Sequence, residues 1–313
     1  MFWNSKQFEF KDIPDLSGKI AIVTGSNTGI GRVCALEMAR KNCQVVVAAR
    51  NAEKANAVVD EIKKETGNDK VEYIHLDLLS LASVKKFADE FRARYDQLHI
   101  LMNNAGVMMA PYSLSEDGLE RQFATNHVAH YYLTMLLLPV LEKSTPSRIV
   151  NVSSMGHMFA KFFGGLQLHN INDEKTYHYG GHYCKSKAAN ILFTRELAKR
   201  LKNKGVEIYV NCNHPGVVGS DLYRHMFAPT SFLMSLGKRL LYITNEDGAL
   251  AQLYVATSPE IEEKKLSGEY FVPYGKLSKS DAYTRSDENA AELWEWTEKV
   301  LKEKAPGYEG API

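Results

Sequence analysis

The stretch Lys19-Ile-Ala-Ile-Val-Thr-Gly-Ser-Asn-Thr-Gly-Ile-Gly31 lies near the start of this chain of 313 residues. Its first half is a short apolar, β-branched run of the kind that forms a buried strand. Glycines on the spacing that follows allow a tight turn, close approach of the backbone to a pyrophosphate and close packing of a helix on the strand. The stretch therefore predicts a nucleotide-binding turn between a strand and a helix, formed by Gly25, Asn27, Thr28, Gly29, Ile30 and Gly31.

Outward from this stretch, short apolar strands alternate with longer helical patterns through the first two-thirds of the chain. The pattern predicts strands at residues 19–23, 44–48, 71–75, 100–102, 148–153 and 206–211, and helices at 29–41, 52–65, 80–95, 123–141 and 183–201. Such strands separated by crossover helices predict a parallel sheet covered on both faces. We expect an α/β fold with a doubly wound parallel sheet, the Rossmann fold, in a single domain at 18–313 preceded by an N-terminal arm at 1–17.

Composition narrows the class of protein. Hydrophobic residues make up 45% of the chain, charged residues 24%, and the formal net charge is +1, which is ordinary for a globular protein and leaves no nucleic-acid footprint. No apolar run approaches the ~18–20 residues that cross a bilayer, and the N-terminus lacks the features of a secretory signal. The four cysteines form no Cys-x-x-Cys pair, so we expect reduced thiols and a cytoplasmic protein.

The end of the second strand bears on the choice of nucleotide. A site that prefers NAD normally has an acidic residue here to bind the ribose 2′-hydroxyl. This chain has Ala49-Arg50 instead, and an arginine can pair with a 2′-phosphate. The sequence therefore favours NADP(H). The ends of the third and fourth strands add further candidate cofactor contacts, at Asp77, Leu78, Asn104, Ala105 and Gly106.

Three further segments contain candidate site residues: a tyrosine–lysine pair, a serine pair and a turn. Tyr183 and Lys187 are four apart at the start of a predicted helix, so they lie on the same face, and an ammonium beside a phenol lowers the pKa of the phenol. Ser153-Ser154 ends a strand, where a hydroxyl can donate to a substrate oxygen as negative charge develops. A rigid turn suited to flank a nicotinamide follows the last predicted strand and supplies Pro215, Gly216, Val218 and Ser220.

Together these motifs resemble the short-chain dehydrogenase/reductase family in order and spacing over roughly residues 18–275. The resemblance is closest to the retinol-dehydrogenase-like branch, which also includes fungal oxidoreductases. It implies that Tyr183 is the general acid in reduction and the base in oxidation, and that Lys187 lowers its pKa and holds the nicotinamide ribose. It also implies that Ser154 positions the substrate oxygen and that Asn126 supports a water chain to Lys187. Ser220 stands where many relatives have threonine, and Gly219 where the branch often has arginine.

The resemblance implies an NADP(H)-dependent oxidoreductase that moves a hydride between the nicotinamide and the carbonyl or alcohol of an apolar small molecule, with reduction favoured. We expect a substrate lid at Asp221–Ile243, because this segment mixes many apolar residues with few charges. Lys238 and Arg239 beside Leu240 leave peripheral contact with a lipid surface open. A non-catalytic NADP-binding sensor or scaffold also stays open, as does a homodimer.

The histidines invite a metal hypothesis, but no His-Glu-x-x-His or Cys/His spacing exists, so the sequence predicts no metal site. We interpret His182, next to Tyr183, as a solvated loop residue rather than a residue that borders the substrate. The aromatic side chains of the long connection 156–181 either line an apolar pocket or pack this connection onto the domain, and they are Phe162, Phe163, Tyr177 and Tyr179.

Overall fold

A computed structural model describes residues 8–218 and 243–313. The eight described strands form one sheet with the order β3-β2-β1-β4-β5-β6-β7-β8. Their bounds are β1 (Ile20–Thr24), β2 (Gln44–Ala49), β3 (Val71–His75), β4 (Ile100–Asn103), β5 (Ser147–Val152), β6 (Ile208–Asn213), β7 (Tyr270–Val272) and β8 (Lys276–Ser278). All neighbouring strands are parallel except β7 and β8, which are antiparallel. The predicted doubly wound parallel sheet is confirmed.

Helices cover both faces of the sheet. They are α1 (Gly29–Arg40), α2 (Ala52–Thr66), α3 (Leu81–Arg94), α4 (Arg121–Phe123), α5 (Ala129–Glu142), α6 (Tyr179–Lys204), α7 (Asn245–Thr257), α8 (Glu260–Glu263) and α9 (Asp287–Lys304). The apolar residues of α1, α2 and α7 pack on one face, and those of α3, α5, α6 and α9 pack on the other. Because both faces are covered, residues of both faces of a strand are buried, as in β2, where Val45, Val46 and Val47 are fully buried.

Helix α6 begins one turn earlier than the sequence pattern predicted, so the interpretation of His182 as a solvated loop residue is wrong. His178 caps the helix by accepting a hydrogen bond at Nδ1 from the Gly181 amide over 2.8 Å. His182 lies inside the first turns with a buried ring, and its Nε2 lies 3.2 Å from the Ile171 carbonyl oxygen. The glycines before Tyr183 masked this helix start in the sequence, because glycine disfavours helix interiors.

The part of the N-terminal arm that the structure describes packs onto the domain through its aromatic side chains. Phe8 is buried edge-on against Tyr254 of α7, with ring centroids 5.5 Å apart, and Phe10 is partly buried against the same apolar cluster. All four cysteines are buried free thiols. Within residues 8–218 and 243–313, no helix combines the length and the apolar character needed to cross a membrane.

The strand order places a topological switch point beside β1, because the chain runs outward to β2 and β3 on one side and to β4 and its successors on the other. In open parallel sheets the ligand binds beyond the carboxyl ends of the strands at such a point. The segments that follow β1 to β6 all emerge at this edge, so the fold brings together the sites that the sequence predicted along the chain.

Candidate active site

A cleft of about 520 Å³ lies beyond the carboxyl ends of β1 to β6. It is lined by every predicted cofactor-binding residue within the described part of the chain, and also by Ser154. The predicted cofactor contact Ser220 and the predicted lid from Asp221 to Tyr242 lie outside the described residues. The cleft is continuous from the glycine turn after β1 to Tyr183, so one elongated ligand can contact both ends.

The glycine turn at one end of the cleft is too crowded for side chains. Gly25 has φ +68, and a Cβ built on it would lie 2.9 Å from Cα of Ala105. A Cβ on Gly31 would lie 2.5 Å from Nδ2 of Asn104, which donates to the Thr24 carbonyl over 2.7 Å. The turn after β1 and the turn after β4 therefore pack directly on each other, and both present backbone to the cleft.

The N-terminus of α1 points its unpaired amides into this end of the cleft. The residue before the helix, Thr28, is extended, and its side chain makes no capping hydrogen bond. Gly29, Ile30 and Gly31 line the cleft. The first amides of a helix have no acceptor within the helix, and together with the helix dipole they favour an anion such as a phosphate.

Positive charge gathers at the rim beside β2. The Arg50 side chain is 63% exposed, and its Nη1 lies 3.9 Å from Oδ2 of Asp77, which is too far for a hydrogen bond. Lys54 of α2 lines the same rim, as does Asn51, whose Oδ1 caps α2 by accepting from the Lys54 amide over 2.8 Å. Sequence reasoning missed Lys54, although its place in the first turn of the helix after Arg50 was a usable signal.

At the other end of the cleft, Ser154 and Tyr183 lie on either side of Gly156. A Cβ built on Gly156 would lie 3.3 Å from Cε1 of Tyr183 and 3.5 Å from Oγ of Ser154. The neighbouring Ser153 does not compete for this position, because its hydroxyl donates to the Lys187 carbonyl over 2.7 Å. The second serine of the pair is therefore the one whose hydroxyl is placed beside the phenol.

Lys187 lies one turn beyond Tyr183 on α6 and is buried. Its Nζ donates to the Val152 carbonyl over 2.9 Å and lies 5.8 Å from the centroid of the Tyr183 ring. Burial lowers the pKa of Lys187 to about 8, so the ammonium stays mostly charged at neutral pH. The arrangement places a positive charge beside the phenol.

Asn126 occupies a π-helical turn, Ala124–Val128, between α4 and α5. Its side chain is fully buried and pairs with both backbone groups of Val107: Oδ1 accepts from the amide over 2.8 Å and Nδ2 donates to the carbonyl over 2.9 Å. A Cβ on Gly106 would lie 3.3 Å from Oδ1 of Asn126 and 3.4 Å from Nζ of Lys187. The amide and the ammonium thus flank Gly106, and Asn126 supports the wall of the cleft from behind.

The turn after β6 forms another wall of the cleft, through residues 215–218. Ile243 donates its amide to the Val217 carbonyl over 2.9 Å and forms an isolated parallel bridge with Val218. Gly216 has φ +99, and any Cβ there would contact Cδ1 of Ile243. The residues on either side of the segment 219–242 are therefore in contact with each other beside the cleft.

Some residues that line the cleft were not predicted. Met155 and Phe159 lie in the first 3-10 turn after β5, Met155–Phe159, and present partly exposed apolar side chains at the mouth. Gln252 of α7 reaches the cleft and donates to Oδ1 of Asn104 over 3.3 Å, a contact that depends on a distant part of the chain. The four aromatic residues that the sequence offered for this purpose are absent from the described lining, and they are Phe162, Phe163, Tyr177 and Tyr179.

No group of three or more histidine, cysteine or acidic side chains in the described ranges is arranged to hold a metal ion.

Comparison with known proteins agrees with the geometry of the cleft. Residues 19–164 match the family model described as short chain dehydrogenase. Retinol dehydrogenase 12 of Bos taurus is 43% identical to this chain, over 89% of this chain and 85% of the relative.

Two further similarities extend over most of the chain. An uncharacterised oxidoreductase of Schizosaccharomyces pombe is 39% identical, over 96% of this chain and 90% of the relative. The crystal structure of a short chain dehydrogenase of Shigella flexneri 2a complexed with NADP is similar with a TM-score of 0.63 and 25% identity, over 82% of this chain and 98% of that chain.

Proposed function

This chain belongs to the short-chain dehydrogenase family, in its retinol-dehydrogenase-like branch, and is therefore an oxidoreductase acting on CH–OH groups; from this we propose that it uses NADP(H) and an apolar small molecule. The favoured reaction is reduction of an aldehyde or ketone. The observation that carries the proposal is the meeting of Ser154, Tyr183 and Lys187 at one end of a cleft whose other end is a glycine turn and an uncapped helix.

The cleft fits a nicotinamide dinucleotide with a 2′-phosphate. The glycine turn leaves room for a pyrophosphate against the backbone, and the α1 amides supply donors for it. Arg50 and Lys54 would hold the 2′-phosphate, since β2 ends in Ala49 rather than in an acidic residue. The NADP-complexed relative from Shigella flexneri supports this choice.

The residues around the reacting carbon have separable roles in this proposal. When bound, the nicotinamide supplies the hydride in reduction and accepts it in oxidation. Tyr183 gives its phenolic proton to the substrate oxygen as the carbonyl is reduced, and takes it back in the reverse direction. Lys187 stabilises the phenolate by its charge, and Ser154 donates to the substrate oxygen as negative charge develops there. Asn126 holds the backbone at Val107 and supports a water chain to Lys187.

The mouth of the cleft indicates the class of substrate. Met155 and Phe159 line it with apolar surface, and these side chains are 42% and 55% exposed. An apolar carbonyl compound would cover them, which is favourable by ~25 cal/mol per Å² of apolar surface removed from water. The relatives named retinol dehydrogenase agree with an apolar substrate of this kind.

The test is consumption of NADPH, followed by its absorbance, across a panel of aldehydes and ketones. We expect turnover by the natural chain, and a loss of at least about 100-fold in Tyr183→Phe with the affinity for NADPH nearly unchanged. Tyr179→Phe is the matched control, because this tyrosine lies on the same helix but does not line the cleft. Unchanged activity in Tyr183→Phe would refute the mechanism. Intact NADPH binding without turnover of any carbonyl would favour the sensor or scaffold.

A peripheral contact with lipid is favoured by a second observation. Met158 and Phe162 are 47% and 83% exposed and lie close in sequence to Phe159, which lines the cleft. An apolar substrate dissolved in a lipid surface would then enter directly. Flotation with neutral phospholipid vesicles tests this: we expect the natural chain to float and Phe162→Ser to float less, and failure of the natural chain to bind would refute it.

A further inference from the structure

His157 is buried directly behind Ser154, in the 3-10 turn Met155–Phe159. Its Nδ1 lies 2.7 Å from the Ser154 carbonyl oxygen, and its amide donates to the same oxygen over 3.0 Å. A carbonyl oxygen can only accept, so Nδ1 carries a proton and donates it. The carbonyl of Ser154 is therefore held by two donors from one residue.

The hydroxyl of Ser154 is oriented from the same turn. Its Oγ accepts from the Gly156 amide over 3.1 Å, while a Cβ at Gly156 would touch both this Oγ and the Tyr183 ring. The Gly156 amide belongs to the peptide that follows the Ser154 carbonyl in the same turn, so a shift of this turn would move the amide and with it the hydroxyl. His157 contacts the Ser154 carbonyl at the start of the turn and thereby restrains it.

The other side of the imidazole ring faces the C-terminal part of the chain. Its Nε2 lies 3.7 Å from Oδ2 of Asp281, and neither atom has a hydrogen-bond partner among the described residues. The ring packs edge-on against Tyr270 of β7, with centroids 5.1 Å apart. Asp281 is itself fixed, because its Oδ1 accepts from the Thr284 amide over 3.0 Å.

The protonation state of His157 follows from its surroundings. Burial lowers the pKa of His157 more than the hydrogen bond to Ser154 and the charge of Asp281 raise it. His214 faces it from the turn after β6, and burial lowers the pKa of His214 to about 4. Both shifts favour the neutral form of the rings, and in the neutral form of His157 the proton on Nδ1 leaves a lone pair on Nε2, which faces Oδ2 of Asp281.

We propose that His157 is a positioning residue for Ser154: its Nδ1–H holds the Ser154 carbonyl and thereby aims the hydroxyl at the substrate oxygen. This proposal rests on the proposed function of Ser154. The tautomer is set by the Ser154 carbonyl, and the packing on Tyr270 sets the plane of the ring. Asp281 contributes position but not a hydrogen bond. Tyr270 and Asp281 are thereby coupled to Ser154 through one ring.

Two amide variants separate the two ends of the ring. The Nδ2 of asparagine reaches the place of Nδ1, whereas the amide of glutamine reaches the place of Nε2. We expect His157→Asn to keep kcat within about threefold, and His157→Gln and His157→Leu to lose kcat about 10- to 100-fold with the KM for NADPH unchanged. Equal losses in His157→Asn and His157→Gln would overturn the proposal, because a merely structural role would not distinguish them.

A readout without turnover separates this proposal from the proposed function. The Gly156 amide donates to Oγ of Ser154, so its hydrogen exchange, measured by NMR, reports whether the hydroxyl is held. We expect faster exchange by at least about tenfold in His157→Gln and His157→Leu but not in His157→Asn. If the natural chain turns over no carbonyl and this exchange pattern still appears, the proposed function fails and the positioning role stands. Uniform exchange in all variants refutes the positioning role alone.

Asp281→Asn tests the neutral state of the ring. An asparagine there keeps the acceptor for the Thr284 amide and can present an N–H to the lone pair of Nε2. We expect unchanged or higher thermal stability and unchanged kcat at neutral pH. A marked loss of both would show instead that His157 is charged and paired with Asp281.

Discussion

Among the residues that the structure describes, the buried ammonium group of Lys187 has one hydrogen-bond acceptor, the Val152 carbonyl. Burial of a charge is unfavourable, and this is why the pKa of Lys187 falls from its usual value near 10.5 to about 8. The proposed chemistry needs that charge beside Tyr183. Lys187 therefore lowers the stability of the folded protein but is needed for the proposed activity, as is common for residues of active sites.

We predict that Lys187→Met abolishes carbonyl reduction but raises stability at pH 7 by up to about 3 kcal/mol, since one pKa unit corresponds to ~1.36 kcal/mol. The Val152 carbonyl stays satisfied, because Asn190 also donates to it over 3.0 Å. The folded pKa lies below the unfolded one, so the unfolded state binds more protons between about pH 8 and pH 10.5, and the natural chain gains stability as pH rises through this window.

Thermal unfolding of the cofactor-free protein at pH 7 and pH 10 checks this. The advantage of Lys187→Met should shrink at the higher pH. Lys202→Met, an exposed position on the same helix, is the control and should show no such dependence. A variant that is less stable than the natural chain at pH 7 would mean that burial of Lys187 is not a cost.

Arg50 is the residue that we propose to contact the 2′-phosphate. We predict that Arg50→Ala weakens binding of NADPH about tenfold, because a hydrogen bond to a charged group contributes ~1.5–3 kcal/mol and this one is partly exposed. Binding of NADH should change less than twofold. Fluorescence titration with both nucleotides measures this, and Lys54→Ala shows how much the second cation contributes. Equal weakening of both nucleotides would mean that Arg50 does not contact a 2′-phosphate.

At the scale of elements, the π-helical turn at 124–128 lets one helix serve two purposes. The turn places Asn126 against the backbone of Val107, and Nδ2 of Asn126 also lies 2.9 Å from Oγ of Ser186 on α6. The helix therefore holds the segment after β4 and the helix that carries Tyr183 at the same time. Such π-helical turns are rare and occur often at functional sites.

We predict that Asn126→Ala lowers the free energy of unfolding by about 2–4 kcal/mol, because it leaves both backbone groups of Val107 without their partners. Asn190→Ala is the matched control: within residues 8–218 and 243–313 this buried side-chain amide makes one hydrogen bond, to a carbonyl that Lys187 also contacts, so its loss should cost less. Urea unfolding measures both. A larger loss in Asn190→Ala would contradict the bridging role of Asn126.

The elements of the first two-thirds could be predicted because their signals are local. Buried parallel strands such as β2 are continuous apolar runs, and the turn at Gly25 marks the first helix. The start of α6 was placed wrongly, since the capping role of His178 depends on its geometry with Gly181. The burial of the His157 ring was not predicted, because Tyr270 and Asp281, which surround it, are far from it in sequence.

At the scale of the whole molecule, the last third of the chain closes the structure. Helix α9 packs on α5 and α6. The ring of Trp294 lies 5.0 Å from the ring of Tyr131 on α5 and 4.3 Å from the guanidinium of Arg200 on α6. Glu298 accepts from the Tyr131 hydroxyl over 2.7 Å and from the Ala311 amide over 3.0 Å. A homodimer in which α6 pairs with its copy would have to displace α9, so any dimer is expected to use another surface.

We predict that exchange of residues 221–243 with the corresponding segment of a relative changes the preference among carbonyl substrates while the affinity for NADPH stays within about twofold. The reason is that the glycine turn, Arg50 and the uncapped helix, which are proposed to hold the dinucleotide, all lie outside the exchanged segment. Competition between pairs of aldehydes measures the preference. An unchanged preference would place the determinants of the substrate in Met155 and Phe159 instead.

The bridge between Val218 and Ile243 has a consequence for how this protein can evolve. Because Val218 and Ile243 pair side by side, the points at which any inserted residues would begin and end are already held together: doubling the length of a flexible segment between joined ends costs only about 0.6 kcal/mol of closure entropy. We therefore expect insertions between these two residues to lower stability less than insertions after β1, which would disrupt the glycine turn. If the segment between them recognises the substrate, as we propose, selection can vary that recognition at one position of the chain and leave the catalytic residues unchanged.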